Sequence, residues 1–350
     1  MKNRLRGVMV GLILTVSIVM VSVGCATSVT MRYMVPAEVN MANYKNLAIV
    51  SAEPYRFTAF TSPSTIIQDM SGTSPYTVFS GFGGNTEREI AKYLTTRIVS
   101  DLTKADYFSL LIPPSSDDIG LQYAKFKQLG YDGLLQVRVS RLDVDEYVYA
   151  KEETEVLPPE VEGGEPTTQK VLHHHVMQKV AITVEFIVKD TATGETVIVR
   201  SFSDAKEKSY KIDPDSSNSF SAPSLYDWLR PMVDRFSSDF AKLVAPRWIT
   251  KSVALMANKP ENPRVETAYL EAKEGSLQIA LEGFLAEWKK SKHVPSGYNA
   301  AIILESFGQI DQALELIDEV WRYSGNPTVE SRKIQMREAW ESHKKAQQQL

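Results

Sequence analysis

From Val180 to Lys189 the chain alternates without a break. Val180, Ile182, Val184, Phe186 and Val188 fall on one side, and Ala181, Thr183, Glu185, Ile187 and Lys189 on the other. A period of two predicts a strand with one buried face, in a run that starts near Lys170. Residues 190–195 supply a turn and 196–200 a return strand, so a hairpin is expected. Leu135, Val137 and Val139 alternate in the same way after Gly133. The apolar phase then slips to Leu142 and Val144, which predicts a bulge near Ser140 and Arg141. Short apolar runs at 44–50 and 106–112 predict two more strands, the second stopped by Pro113 and Pro114.

Other stretches follow the helical period. Ile90, Leu94, Ile98 and Leu102 form a stripe at i, i+4 spacing after Thr86, with Glu89 placed for a capping box. Ser116 opens a second helix that Gly130 ends. Leu225, Leu229, Val233, Phe236, Phe240 and Val244 mark a third, which Pro231 should kink or split. Two stretches show no period. Residues 53–84 read as a long loop or insertion. Residues 151–170, acidic and carrying Pro158, Pro159, Gly163, Gly164 and Pro166, read as a mobile loop.

From residue 262 the pattern is helical throughout, and it repeats. Gly275 and Gly308 are separated by 33 positions, as are Ala280 and Ala313, Leu281 and Leu314, Trp288 and Trp321, and Ser291 and Ser324. Phe284 matches Ile317 in type. The period resembles that of tetratricopeptide repeats. The resemblance implies that the Gly ends the first helix of each unit and the Ala lets paired helices approach. A polar helix from about Val329 would cap the far end.

The N-terminus has a third pattern. Lys2, Arg4 and Arg6 precede an apolar run from Val8 to Val23, which closes on Gly24-Cys25. This resembles a bacterial lipoprotein signal, in which the cysteine thiol is acylated and becomes the mature N-terminus. Ser22 stands where such signals usually carry Leu. An uncut signal anchor and a coincidental cysteine are the alternatives. The run is shorter than the ~20 residues a spanning helix needs.

Composition sharpens this picture. Cys25 is the only cysteine, so lipidation leaves none for a disulfide. The net charge is -4, and removal of the three basic residues of the signal takes it to -7. That balance argues against nucleic acid and against electrostatic lipid binding, and leaves anchoring to the acyl chains. The expected organisation is a signal peptide at 1–24, a lipidated tether at 25–43, an α/β domain with a mixed sheet and long hairpin at 44–250, and an all-α helical repeat domain at 262–350.

Candidate chemistry is sparse. His173 and His175 share one strand face and would suit a metal, but no carboxylate or cysteine stands at a fixed nearby spacing. The other reading is an exposed or pH-sensitive strand position, with His174 between them. Ser80-Gly81-Phe82-Gly83-Gly84 lacks the Lys-Ser/Thr of a phosphate loop and reads as a hinge. Asp117 and Asp118 favour a helix start. Neither a nucleophile elbow nor a His-Glu-x-x-His is present, so no catalytic residue, metal or cofactor is expected. Trp288 and Trp321 end equivalent helices; they would line a peptide-binding groove or fill the inter-repeat core.

The segments 129–139 and 184–195 are similar to signatures of the curli-secretion channel (CsgG-like) lipoproteins and the related penicillin-binding-protein activator lipoproteins. The resemblance spans residues 31–250. It implies a non-catalytic α/β domain that oligomerises or docks onto an envelope partner. A channel would also need β-hairpins with ~9–11 alternating residues per strand, which neither 53–84 nor 151–170 supplies. The expectation is a lipid-anchored periplasmic adaptor on the outer membrane. The lipid holds it, and the C-terminal repeats bind an envelope protein. A homo-oligomeric secretion channel and an activator of a cell-wall synthase are the alternatives.

Overall fold

The structure, a computed structural model, describes residues 27–55, 64–67, 76–82, 85–112, 123–157, 166–213 and 219–350. The signal run, Cys25, Pro113, Pro114, Ser116, Asp117, Asp118, Gly83 and Gly84 lie outside the described residues. Two compact units divide the chain. One joins residues up to Pro36 to Arg247–Gln348, and the other spans Ala37–Pro246 with the last two residues.

The α/β unit is built on a five-stranded sheet. Its strands are β2 (Asn46–Ile49), β5 (Ser109–Leu111), β6 (Gly133–Leu157), β7 (Thr167–Asp190) and β8 (Thr196–Lys211), in the order β5-β2-β6-β7-β8. β2 is parallel to β5 and β6, while β6, β7 and β8 run antiparallel. The mixed sheet follows from the connections. Helices α1 (Thr86–Lys104) and α2 (Tyr123–Gln128) lie between the parallel strands in the chain, and a short turn at 191–195 joins β7 to β8. The stripe Ile90, Leu94, Ile98 and Leu102 is fully buried against Leu47, Ile49, Leu135 and Val137. Helix α3 (Tyr226–Val244) packs beside it, with Phe240 stacked on Phe186 at 4.4 Å between ring centroids. On the other sheet face Phe126 of α2 meets Ala48 and Leu134.

Several expectations change here. The register of β6 against β7 shifts between Val139 and Arg141, where the phase slip placed a bulge. The acidic stretch 151–170 is not a mobile loop over its whole length. β6 continues to Leu157 and β7 begins at Thr167, paired residue for residue. Cross-strand ion pairs such as Lys170–Glu152 at 2.8 Å accommodate the charges that made this stretch look like a loop. Pro231 does not split α3, which runs on from Tyr226 to Val244. The capping box is not formed: Asn85 is the N-cap, and Thr86 is buried inside the first turn. Within 53–84, residues 64–67 and 76–79 form strands β3 and β4, and β4 pairs with β9 (Ser219–Ser221). Gly81 is pinned rather than a hinge. Its amide donates to the Glu146 carboxylate at 3.2 Å, and a Cβ would lie 2.0 Å from the Pro223 carbonyl oxygen.

The helical unit contains α4 (Glu266–Glu274), α5 (Leu277–Ser291), α6 (Val294–Ser306), α7 (Ile310–Ser324) and α8 (Pro327–Gln347). Each packs on the next in sequence. The 33-residue period has a geometric counterpart. Gly275 and Gly308 both adopt positive φ, +88° and +75°, and helices of equal length begin two residues after each. Ala280 and Ala313 are both fully buried, as are Phe284 and Ile317. Residues 26–43, expected as a tether, contribute a strand to this unit. β1 (Ser28–Val35) pairs antiparallel with β10 (Arg247–Ala254), from Ser28 opposite Ala254 to Val35 opposite Arg247. Val29, Met31 and Tyr33 point inward onto the helices, which gives β1 its alternating burial.

Candidate functional site

The β1–β10 ribbon is held by polar groups that are rare in a core. Tyr33 donates from its hydroxyl to one carboxylate oxygen of Glu305, and Arg332 donates to the other. Glu305 and Arg332 are 3% and 4% exposed. Arg332 also lies 3.2 Å from the Met31 sulfur. Burial and the facing Glu305 push the Tyr33 phenol well above its ordinary range. Removal of one partner from such a pair leaves an uncompensated charge, so these residues fix where β1 sits.

The end of the ribbon where β1 begins is fixed by an amide. Leu255 donates its N–H to the Thr27 carbonyl at 2.8 Å. Asn299, fully buried on α6, accepts from the Met256 N–H at 2.7 Å and donates to the Met256 carbonyl at 3.0 Å. Tyr269 donates to the same carbonyl at 2.6 Å, and burial raises its phenol to about 12. These three residues nail the strand end into the helical core.

At the other end an aromatic group gathers on the surface. Trp248 is 52% exposed, and the Arg32 guanidinium lies 5.1 Å from its ring centroid. His343 packs on Trp248 and stacks on Trp340 at 5.4 Å, and its Nδ1 accepts from the Met34 amide at 3.0 Å. This cluster was missed from sequence because it joins three distant segments of the chain, at 32–34, 248 and 340–343, that carry no shared spacing signal.

The tryptophans singled out by the repeat behave differently. Trp288 is 1% exposed. It packs over Gly297, where a Cβ would come within 2.8 Å of the indole, and meets the edge of Tyr323. It belongs to the core and has no surface to offer a peptide. Trp321 is half-buried, with the Lys333 ammonium 3.3 Å from its ring centroid. The structure does not bring the two together into a groove.

His173 and His175 share a face of β7. β6 supplies the carboxylates that sequence spacing could not: Glu155 lies 2.7 Å from His173 and Glu153 lies 3.3 Å from His175. His175 is buried rather than exposed and stacks on Tyr149, and burial lowers its pKa. Hydrogen bonds from Lys151 and Lys211 hold Glu153 and Glu155 below the usual carboxylate range. Lysines therefore satisfy these carboxylates. No group of three metal-ligating side chains converges among the described residues. Charges occupy both faces of this distal arm, with Lys151, Glu153 and Glu155 on one and Glu152 and Lys170 on the other. Such faces do not suit lipid contact. Among the described residues no helix is long and apolar enough to cross a membrane.

The two segments that carry the family resemblance meet at the base of the hairpin. The Thr191 hydroxyl donates to the carbonyls of Tyr131 at 2.5 Å and Asp132 at 3.0 Å. Asp190 accepts from the amides of Ala192 and Thr193 at 2.7 and 2.8 Å; these bonds, the Thr193 amide foremost, lower its pKa. The Asp-Thr pair thus closes the turn and ties it to the start of β6.

No protein-family model matches the chain, and no curated protein matches it significantly. Among solved structures the chain is similar to the PelC dodecamer from Paraburkholderia phytofirmans. The identity there is 12% over 62% of this chain and 98% of that one, with a TM-score of 0.26. It is also similar to a minor lipoprotein from Acinetobacter baumannii, at 14% identity over 57% of this chain and 91% of the other (TM-score 0.22). A lipoprotein from Neisseria meningitidis matches at 11% identity over 56% of this chain and 97% of its own (TM-score 0.24). At such scores these likenesses carry no argument about what this chain does.

Proposed function

We propose that this chain is a lipid-anchored protein of the bacterial envelope, held by an acylated Cys25 and facing the periplasm. The observation that carries this reading is the basic start, apolar run and Gly24-Cys25 junction of the first 25 residues. Ala26 follows the cysteine, without the Asp associated with inner-membrane retention in enteric bacteria, which favours the outer membrane.

Its action is binding and tethering rather than chemistry. Stacked helical hairpins are a scaffold for recognition, and the exposed Trp248 with Arg32 and His343 has the composition of a contact hot spot. The helical unit recruits an envelope protein there. The channel alternative loses support from the charged faces of the β6–β7 arm.

The test is fractionation of cells that express Cys25→Ala. Release into the soluble periplasm, or accumulation of an uncleaved precursor, is expected. Unchanged mass and unchanged membrane attachment would overturn the anchor. For the channel alternative, negative-stain microscopy of the lipidated protein in detergent decides: closed rings would favour it, and monomers or dimers would remove it.

A further inference from the structure

We propose that the helical unit is held directly against the membrane, with the Thr27, Ser28 and Ala254 end of the β1–β10 ribbon apposed to the lipid headgroups. This rests on the lipid anchor at Cys25 proposed above. The argument is the length of chain between anchor and fold. Thr27 is already in register, because its carbonyl accepts from Leu255. Only Ala26 separates it from Cys25. Two residues of extended chain span at most about 7 Å.

The body at the end of this leash is rigid. Ser28 pairs with Ala254, and a paired strand lies about 5 Å away. Ala254 therefore lies within about 16 Å of the Cys25 Cα. Met256, two residues on, is bonded through both backbone groups to the buried Asn299 side chain. A free tether of 18 residues would let the protein range over tens of ångströms. The strand pairing removes that freedom, so a partner of the helical unit must reach it at the bilayer surface.

The test uses the full lipidated chain on vesicles of phosphatidylethanolamine and phosphatidylglycerol that carry a nitroxide-labelled headgroup. A fluorophore is placed at Ala254→Cys or at Thr250→Cys, both exposed positions, the second about 14 Å further along the ribbon. Quenching at Ala254→Cys is expected to exceed that at Thr250→Cys by at least about twofold, in line with that separation. A spacer of ~20 Gly/Ser residues between Ala26 and Thr27 adds about 25 Å of reach and should abolish the quenching. Equal, weak quenching at both sites in vesicle-bound protein would overturn the inference, as would quenching that survives the spacer. Failure of the anchor is distinguishable: the unlabelled protein then fails to float with vesicles and its mass shows no acyl chains.

Discussion

The two units bury very different things. In the α/β unit the main core is apolar, and among the described residues its buried polar side chains are Thr86, Gln178, Thr191, Ser237, and a His175 whose pKa burial lowers. The helical unit buries two carboxylates, Glu287 and Glu305, and the Arg332 guanidinium, together with His293, Ser296 and Asn299. The difference follows from what each unit must specify. Alternation along strands of more than 20 residues already fixes the register of β6 and β7, because a one-residue slip would turn every apolar side chain outward. β1 has only eight residues to find β10, across more than 200 residues of chain. Polar partners placed at Tyr33, Glu305, Arg332 and Asn299 give that short strand one seat.

The largest effects should come from the contrasting cores. Arg332→Met leaves the Glu305 charge buried without its cation, held only by the Tyr33 hydroxyl, at a cost of about 3–5 kcal/mol to the helical unit in urea unfolding. Replacement of both partners, Glu305→Leu with Arg332→Met, should recover most of that loss if the pair serves placement rather than net stability. A double variant no more stable than the single one would break the comparison. In the α/β unit Phe186→Ala should also cost about 3–5 kcal/mol, and no polar replacement elsewhere should recover it.

Smaller losses sharpen the contrast. Asn299→Ala strips the Met256 amide of its acceptor, leaves the Met256 carbonyl to the Tyr269 hydroxyl, and should cost about 1–3 kcal/mol; hydrogen exchange at Met256 would rise in step. Gly81→Ala drives a methyl into the Pro223 carbonyl, and about 1–3 kcal/mol is expected from the α/β unit alone.

Two of the sequence stretches that did not look structured failed to do so for physical reasons. The acidic arm 151–157 pairs its charges across strands, and no periodicity in a single strand reports a partner's charge. Residues 28–35 do alternate, but their pairing partner is remote, and β10 is too exposed to show a buried face of its own. The main sheet, the bulge at 140 and the helical period were legible because each is local. The candidate site was legible only in part. Trp288 was marked by the repeat and proved to be core, whereas Trp248, outside the repeat, is on the surface. Gly297, whose missing side chain makes room for Trp288, gave no signal because its role depends on a neighbouring helix.

The last expected effect is pH-dependent and is read in the helical unit. Tyr269 is raised from 10.0 to about 12 in the folded chain, and Tyr33 is raised further. A raised phenol contributes stability that is complete below pH ~10 and is lost as pH climbs through the folded value. Helical ellipticity should therefore weaken between about pH 10 and 12, and Tyr269→Phe should flatten that decline.

The proposed anchor puts the fold at the end of an acylated cysteine, and the intact mass of the protein extracted from membranes tests that most directly. The account predicts a chain that begins at Cys25 and carries the added mass of its acyl groups. An unmodified chain, or one that retains residues 1–24, would contradict it.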